Sequence, residues 1–232
     1  MRLPSSANFR PVGTVPLRHI WRSDHLGALN AHDAAQIQAL GIRRVLDFRG
    51  VEERTAAACR LPGVTVHSLP IEPTIVQKLN EMVAAGTSIS GAEVAAYMQD
   101  TYRNFVRTGT PRFAEFFGHL LESDTPTVFH CTAGKDRTGF AAALLLKATD
   151  AQDEEVMRDY LLTNDRVQLP QGSRLGLSPE AAHVLWHVQP DFLQAALDEV
   201  DRSYGSMEGY LREGLGLREA ERDRLRALYR AG

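Results

Sequence analysis

Residues 128–146 read VFHCTAGKDRTGFAAALLL, and the fold class follows from this stretch. Val128 and Phe129 form the apolar centre of a run that predicts a short buried strand over 126–130. Phe140 to Leu146 is apolar on every side, which predicts a helix buried in the middle of the fold. A strand that passes through a tight loop straight into such a helix is the repeating unit of an α/β sheet. Chemistry in these sheets collects where a strand ends and the next helix begins.

The loop between the two elements places five residues between Cys131 and Arg137. A loop this short turns its backbone N–H groups inward and closes on a helix N-terminus, which makes an anion nest. Thr132, Ala133, Gly134, Lys135 and Thr138 are then its phosphate-binding members, and Gly134 lets the backbone approach without a side chain in the way. Arg137 can give two parallel hydrogen bonds to phosphate oxygens. The same nest is expected to activate Cys131, because a helix N-terminus and nearby cations favour a thiolate, which can attack phosphorus. His130 is expected to organise the loop through hydrogen bonds and not to act as a base. Thr138 could offer its hydroxyl to the sulfur. Asp136 reads in two ways: as the acid that protonates the leaving oxygen, or as a cap that holds Lys135 or Arg137. Lys135 would add a second cation and favour substrates with extra negative charge, such as phosphoinositides.

On either side of this unit, Asn30 caps a helix over 31–40 with Asp33 in its first turn. Strands are expected over 42–48 and 64–69, although Arg43 and Arg44 interrupt the first. Trp21 to Ser23 could end another. Residues 74–84 suit a short helix. Ser90 and Glu93 form a capping box for a helix to about 107. Thr110 caps the next, with Pro111 in its first turn. Helices are also expected over about 152–162, 179–187, 191–201, 206–213 and 217–230. Pro170, Gly172 and Gly176 mark 163–178 as a loop. The expected architecture is α/β: a small, mostly parallel central sheet flanked by many helices, with a helical C-terminal part. No linker tract divides it, so residues 1–232 read as one domain.

Bulk composition narrows the functional classes. With 44% hydrophobic and 24% charged residues, the chain resembles an ordinary soluble globular protein that builds its own core. A net charge of −3 supplies no basic excess for nucleic acid. No apolar run approaches a membrane span, and residues 1–13 lack the apolar centre of a signal peptide. A cytoplasmic location is the expectation, with signal-free secretion as the alternative. Two cysteines and the spacing of eight histidines suggest neither a disulfide framework nor a metal set, so no cofactor is expected.

The block HCTAGKDRTG, His130 to Gly139, resembles the bacterial tyrosine phosphatases of the atypical dual-specificity type. Asn8-Phe9-Arg10 is similar to the opening NFRD block of that family, with Pro11 in place of its aspartate. Trp21 to Asp24, Gly41 to Glu53, Asp159 to Asn164 and Tyr204 to Gly216 resemble its later blocks. The resemblance implies a cysteine-dependent phosphatase fold and activity on phosphotyrosine. It also implies activity on phosphoserine, phosphothreonine or phosphoinositides in many relatives. It implies Asp136 as an acid inside the loop, and Lys135 as a residue tied to lipid substrates. The partners would be phosphorylated proteins or phosphoinositides, and phosphate ion.

Asp47 and Arg49 end a predicted strand near Cys131 and could pair with each other, order the phosphate loop or help bind substrate; Arg22, at the end of another, could reach the pocket and substrate or bridge loops. Cys59 is a candidate for a protective disulfide with Cys131, or a plain thiol. Tyr97, Met98, Tyr102 and Phe105 share a helical face and read as core, with a partial cover over the pocket as the alternative. Two other functions compete. A binding module without turnover would need a damaged nucleophile, and Cys131 is intact. A sulfurtransferase uses a similar cysteine cradle, against which the Gly-Lys-Asp-Arg-Thr run favours phosphate. No Walker A ending and no papain-type cysteine signature is present.

Overall fold

The structure is a computed structural model that describes residues 3–72, 74–84, 88–167 and 176–230, without the side chains of 74, 76–78 and 80. Five strands form one sheet: β1 (Arg10–Pro11), β2 (Ile20–Ser23), β3 (Arg44–Asp47), β4 (Thr65–Ser68) and β5 (Thr127–His130). Their order is β1-β2-β5-β3-β4, with β1 antiparallel to β2 and every other pair parallel. This places β5 at the centre, with Val128 opposite both Trp21 and Val45.

Strand alternation divides the core. Val45, Val128 and Trp21 face a smaller cluster with Leu26 and Ile37, beneath helix α1 (Ala31–Ala39). Ile20, Leu46 and Phe129 face the larger cluster. That side is covered by α4 (Gly91–Arg107), α5 (Thr110–Glu122) and α6 (Asp136–Ala148). Helix α6 is buried from Arg137 to Leu146, as its all-round apolar sequence requires. Phe48, Phe116 and Phe129 join the sheet to α5, with ring centroids 5.5 Å apart for Phe48–Phe116 and 5.0 Å for Phe116–Phe129.

The remaining helices are α2 (Val51–Ala56), α3 (Thr74–Ala84), α7 (Asp153–Leu161), α8 (Pro179–Trp186), α9 (Pro190–Tyr204), α10 (Met207–Gly209) and α11 (Glu219–Tyr229). Among the described residues, no helix is long and apolar enough to cross a membrane. The caps follow local chemistry. Asn30 accepts from the Asp33 N–H at 2.8 Å, and Ser90 and Glu93 exchange the reciprocal bonds of a capping box.

The structure departs from the sequence reading in five places. Arg44 does not interrupt β3; it is buried because Thr127 Oγ1, the His119 carbonyl, Glu122 and the Ser123 carbonyl take its donors. Thr110 does not cap α5 from outside; it is the first helical residue, and its hydroxyl turns back to the Val106 carbonyl. Residues 206–213 are not one α-helix. After α10 the chain widens into a π turn, Tyr210–Gly214, and the Leu215 N–H reaches the Tyr210 carbonyl. Helix α2 was not anticipated, because its six residues are too short to carry a period. The loop expected over 163–178 begins as a 3₁₀ turn, Leu162–Asp165; Pro170 and Gly172 lie outside the described residues.

Candidate active site

The parallel strands end together. The β5 terminus at His130 lies opposite Ser23 of β2 and Asp47 of β3. Cys131 follows at once and is almost fully buried, at 3% exposure. From there to α6 the chain makes a cradle whose carbonyls are held on the outside. The Thr132 carbonyl accepts from the His25 N–H at 3.0 Å. The Asn8 amide donates to the carbonyls of Ala133 (3.0 Å) and Gly134 (2.8 Å), and Arg22 Nη2 donates to Gly134 at 3.0 Å. With the carbonyls tied back, the amides turn inward. Among the described residues, none of the N–H groups of Thr132 to Arg137 meets a protein acceptor. This is the donor set that an oxyanion needs, at the positive end of a 13-residue helix.

Only glycine fits at position 134. Its φ is +64°, and a Cβ there would stand 2.3 Å from the Ser23 carbonyl oxygen. The braces behind it are themselves braced. Arg22 is fully buried and pairs with Asp159 at 2.7 Å, while Arg10 bonds to Asn8 and to Thr163 Oγ1.

Arg137 is directed by Glu53 of α2. Its Nη1 and Nη2 donate to the two Glu53 oxygens at 2.7 and 2.8 Å, and Nη1 also reaches the Ile71 carbonyl at 2.9 Å. Glu53 takes two more donors, the Thr132 hydroxyl and the Gly50 N–H. This uses the end edge of the guanidinium. The side edge remains, and among the described residues no protein acceptor takes its Nε–H. Two phosphate oxygens can therefore bond to Nε and Nη2 without breaking the Glu53 pair. Burial opposes the charge on Arg137, but the Glu53 bonds and the charges of Cys131, Glu53 and Asp136 outweigh it and hold the pKa above its ordinary value.

For Glu53, burial pushes the pKa up, yet the bonds and charge of Arg137, with Thr132 and Gly50, bring it down to about 2 from an ordinary 4.5. A depressed carboxylate contributes stability that is complete above the unfolded value and lost as pH falls through the folded one. The stabilisation from Glu53 is therefore complete above about pH 4.5 and gone below about pH 2. Melting curves of the wild type and Glu53→Gln should differ most near neutrality and converge across that window. A difference that stays constant down to pH 2 would contradict the assignment.

His130 is fully buried, and burial pushes its pKa down to about 4 despite the attraction of Asp47 and its bond to the Cys131 carbonyl. It is neutral at pH 7, with Nδ1 3.0 Å from that carbonyl oxygen and 3.7 Å from Asp47 Oδ1. Asp136, first residue of α6, makes no capping bond among the described residues. Its Oδ1 accepts from the Tyr102 hydroxyl at 3.0 Å, and its Oδ2 lies 3.4 Å from Lys135 Nζ.

A cavity of about 420 Å³ opens above the cradle. Cys131 and Arg137 are among its lining residues, together with Lys135, Asp136, Thr132 and Ala133. Its walls are mostly apolar: Ile75, Met98, Phe105, Leu185 and Trp186. Met98 and Phe105 are thus both core and wall. Leu185 and Trp186 come from α8, an element that the sequence reading did not bring to the site. Asn164 pins the chain after α8 through paired bonds to Val188 at 2.8 and 2.9 Å.

Several candidates stand elsewhere. Asp47 and Arg49 form a buried pair at 2.8 Å, and Arg49 also binds the Ala57 carbonyl. They anchor α2, and so Glu53, from behind; like Arg22, they are not on the cavity wall. The Thr138 hydroxyl is buried with no bond among the described residues, including none to the Cys131 sulfur. Lys135 is not free above the pocket. Its Nζ donates to the Leu185 carbonyl at 2.5 Å. Both cysteines are free thiols, and Cys59 packs against the smaller cluster on the other side of the sheet from the core that holds Cys131. Asn8, Glu53, Tyr102 and Asp159 hold the cradle, Arg137, Asp136 and Arg22 through contacts that the sequence reading did not assign; Asn8, Glu53 and Asp159 do lie within the blocks that carry the resemblance.

Residues 1–231 match the model of the Tyrosine phosphatase family. The chain is 32% identical over 270 aligned positions to the triple specificity protein phosphatase PtpB of Mycobacterium tuberculosis, covering 97% of both chains. It is 31% identical to a Cupriavidus necator protein whose name assigns it to the tyrosine-protein phosphatases, over 92% of this chain and 79% of that one. It is 26% identical to a tyrosine-protein phosphatase of Nostoc commune, over 91% and 74%. A likeness that runs the length of the sequence, and meets a cradle already shaped for an oxyanion, allows one assignment: the chain belongs to the tyrosine phosphatase family of hydrolases.

Proposed function

We propose that the chain hydrolyses phosphotyrosine in proteins through a phosphocysteine at Cys131. The observation that carries this reading is the position of Cys131, in the lining of a cavity of about 420 Å³ with mostly apolar walls. A flat aryl ring fills such a space and brings its phosphate to the nest, whereas a short phosphoserine side chain leaves the walls unused.

In the first step the Cys131 sulfur forms a bond to phosphorus as the bond to the phenolic oxygen breaks. That oxygen leaves with the electron pair and takes a proton from Asp136. The amides of Thr132 to Arg137 and the side edge of Arg137 hold the equatorial oxygens. In the second step Asp136 takes a proton from water, whose oxygen attacks phosphorus and expels the thiolate.

A phosphoinositide reading rests on Lys135, and its ammonium is engaged with Leu185 and Asp136. The Mycobacterium tuberculosis relative carries triple specificity in its name, so the three substrate classes belong in one assay. Phosphate release should rank phosphotyrosine peptide first, phosphoserine and phosphothreonine peptides next, and phosphoinositide vesicles last. Vesicles turned over as fast as the phosphotyrosine peptide would overturn the protein-substrate reading.

A further inference from the structure

Behind Asp136 two buried tyrosines stand in series. The Tyr160 hydroxyl donates to the Tyr102 oxygen at 2.7 Å, and the Tyr102 hydroxyl donates to Asp136 Oδ1 at 3.0 Å. Both rings are almost fully buried, and they meet edge to face at 6.2 Å. Tyr160 is seated against Gly139 of α6, where a Cβ would lie 3.2 Å from its ring. Neither residue lines the cavity. A packing role alone would be served by phenylalanine at both positions, so the aligned hydroxyls call for an explanation.

The direction of the chain supplies one. A tyrosine hydroxyl has one proton. Because the Tyr102 oxygen already receives the Tyr160 proton, its own proton points at Asp136 Oδ1. That oxygen is an acceptor, so the proton that Asp136 delivers sits on Oδ2, the oxygen nearer Lys135. We propose that Tyr102, set by Tyr160, is a positioning residue that orients Asp136 for proton delivery and stabilises the carboxylate left behind. Burial and the Asp136 charge keep the Tyr102 pKa well above its ordinary value, so its proton stays in the hydrogen bond and is not itself transferred. The inference rests on the reading of Asp136 as the acid.

The test is kcat/KM for a series of aryl phosphates with leaving groups from nitrophenol-like to phenol-like. This parameter reports the steps up to cysteine phosphorylation. Leaving groups that are good without a proton should be nearly indifferent to the acid, and poor ones should depend on it. Asp136→Asn should lose roughly 10²-fold or more on the poorest leaving group and little on the best. Tyr102→Phe should show the same slope in smaller measure, roughly tenfold on the poorest, and Tyr160→Phe less again. A Tyr102→Phe loss that is equal across the series would overturn the proposal and leave the Asp136 reading intact. A flat loss in Asp136→Asn would overturn both. If Tyr102→Phe fails to fold, as a melting curve would show, Tyr160→Phe decides the matter. A slope steeper than wild type supports the proposal, and an unchanged slope overturns it.

Discussion

Cys131→Ser should reduce turnover of every phosphate ester by roughly 10⁴–10⁶-fold, the scale of removing the nucleophile from an enzyme that works covalently. The substitution is small, and the cradle does not depend on the sulfur. Its carbonyls are held by His25, Asn8 and Arg22, and its arginine by Glu53. The variant should therefore fold as the wild type does and still bind an aryl phosphate, because the inward amides and the free edge of Arg137 remain. Rapid quench with a labelled phosphotyrosine peptide should leave label on the Cys131 peptide in the wild type and none in the variant. Turnover within tenfold of wild type would remove the sulfur from the mechanism.

Arg137→Lys should be the second largest loss, roughly 10²–10³-fold in kcat/KM, the scale of deleting one donor aimed at developing charge. An ammonium is a point charge. It can satisfy Glu53 or the phosphate, but it has no second edge. Arg137 can do both, because Nη1 and Nη2 are on Glu53 and the Nε side is turned away from it. Because the same side chain also ties α2 to α6, the loss in activity should come with a lower melting temperature. Steady-state kinetics and a melting curve check the two effects together. A tenfold loss or less would mean that the side edge does not meet the transition state.

What was legible in the sequence was contiguous. The strand, cradle and helix occupy adjacent positions, so the spacing of Cys131 and Arg137 and the apolar run after them carried the fold and brought both residues to one cavity. Features built through space were less legible. Glu53 is 84 residues from Arg137 and its role depends on α2, whose six residues are too few to show a period. Tyr102 read as core because it is core; only its hydroxyl takes part in the site. Asp47, Arg49 and Arg22 lie at the right strand ends, yet strand ends can direct charges to the pocket or behind it, and sequence does not distinguish them. Lys135 read as a free cation because nothing in the loop reveals that α8, 50 residues on, brings a carbonyl to it.

In the proposed reaction the phosphoryl group rests on the Cys131 sulfur between substrate and water. The most direct test is the stereochemistry at phosphorus when an isotopically chiral aryl phosphate is transferred by the enzyme to an added alcohol. Two in-line displacements, one by Cys131 and one by the acceptor, predict retention of configuration. Inversion would mean a single direct displacement, and the account built on Cys131 would be wrong.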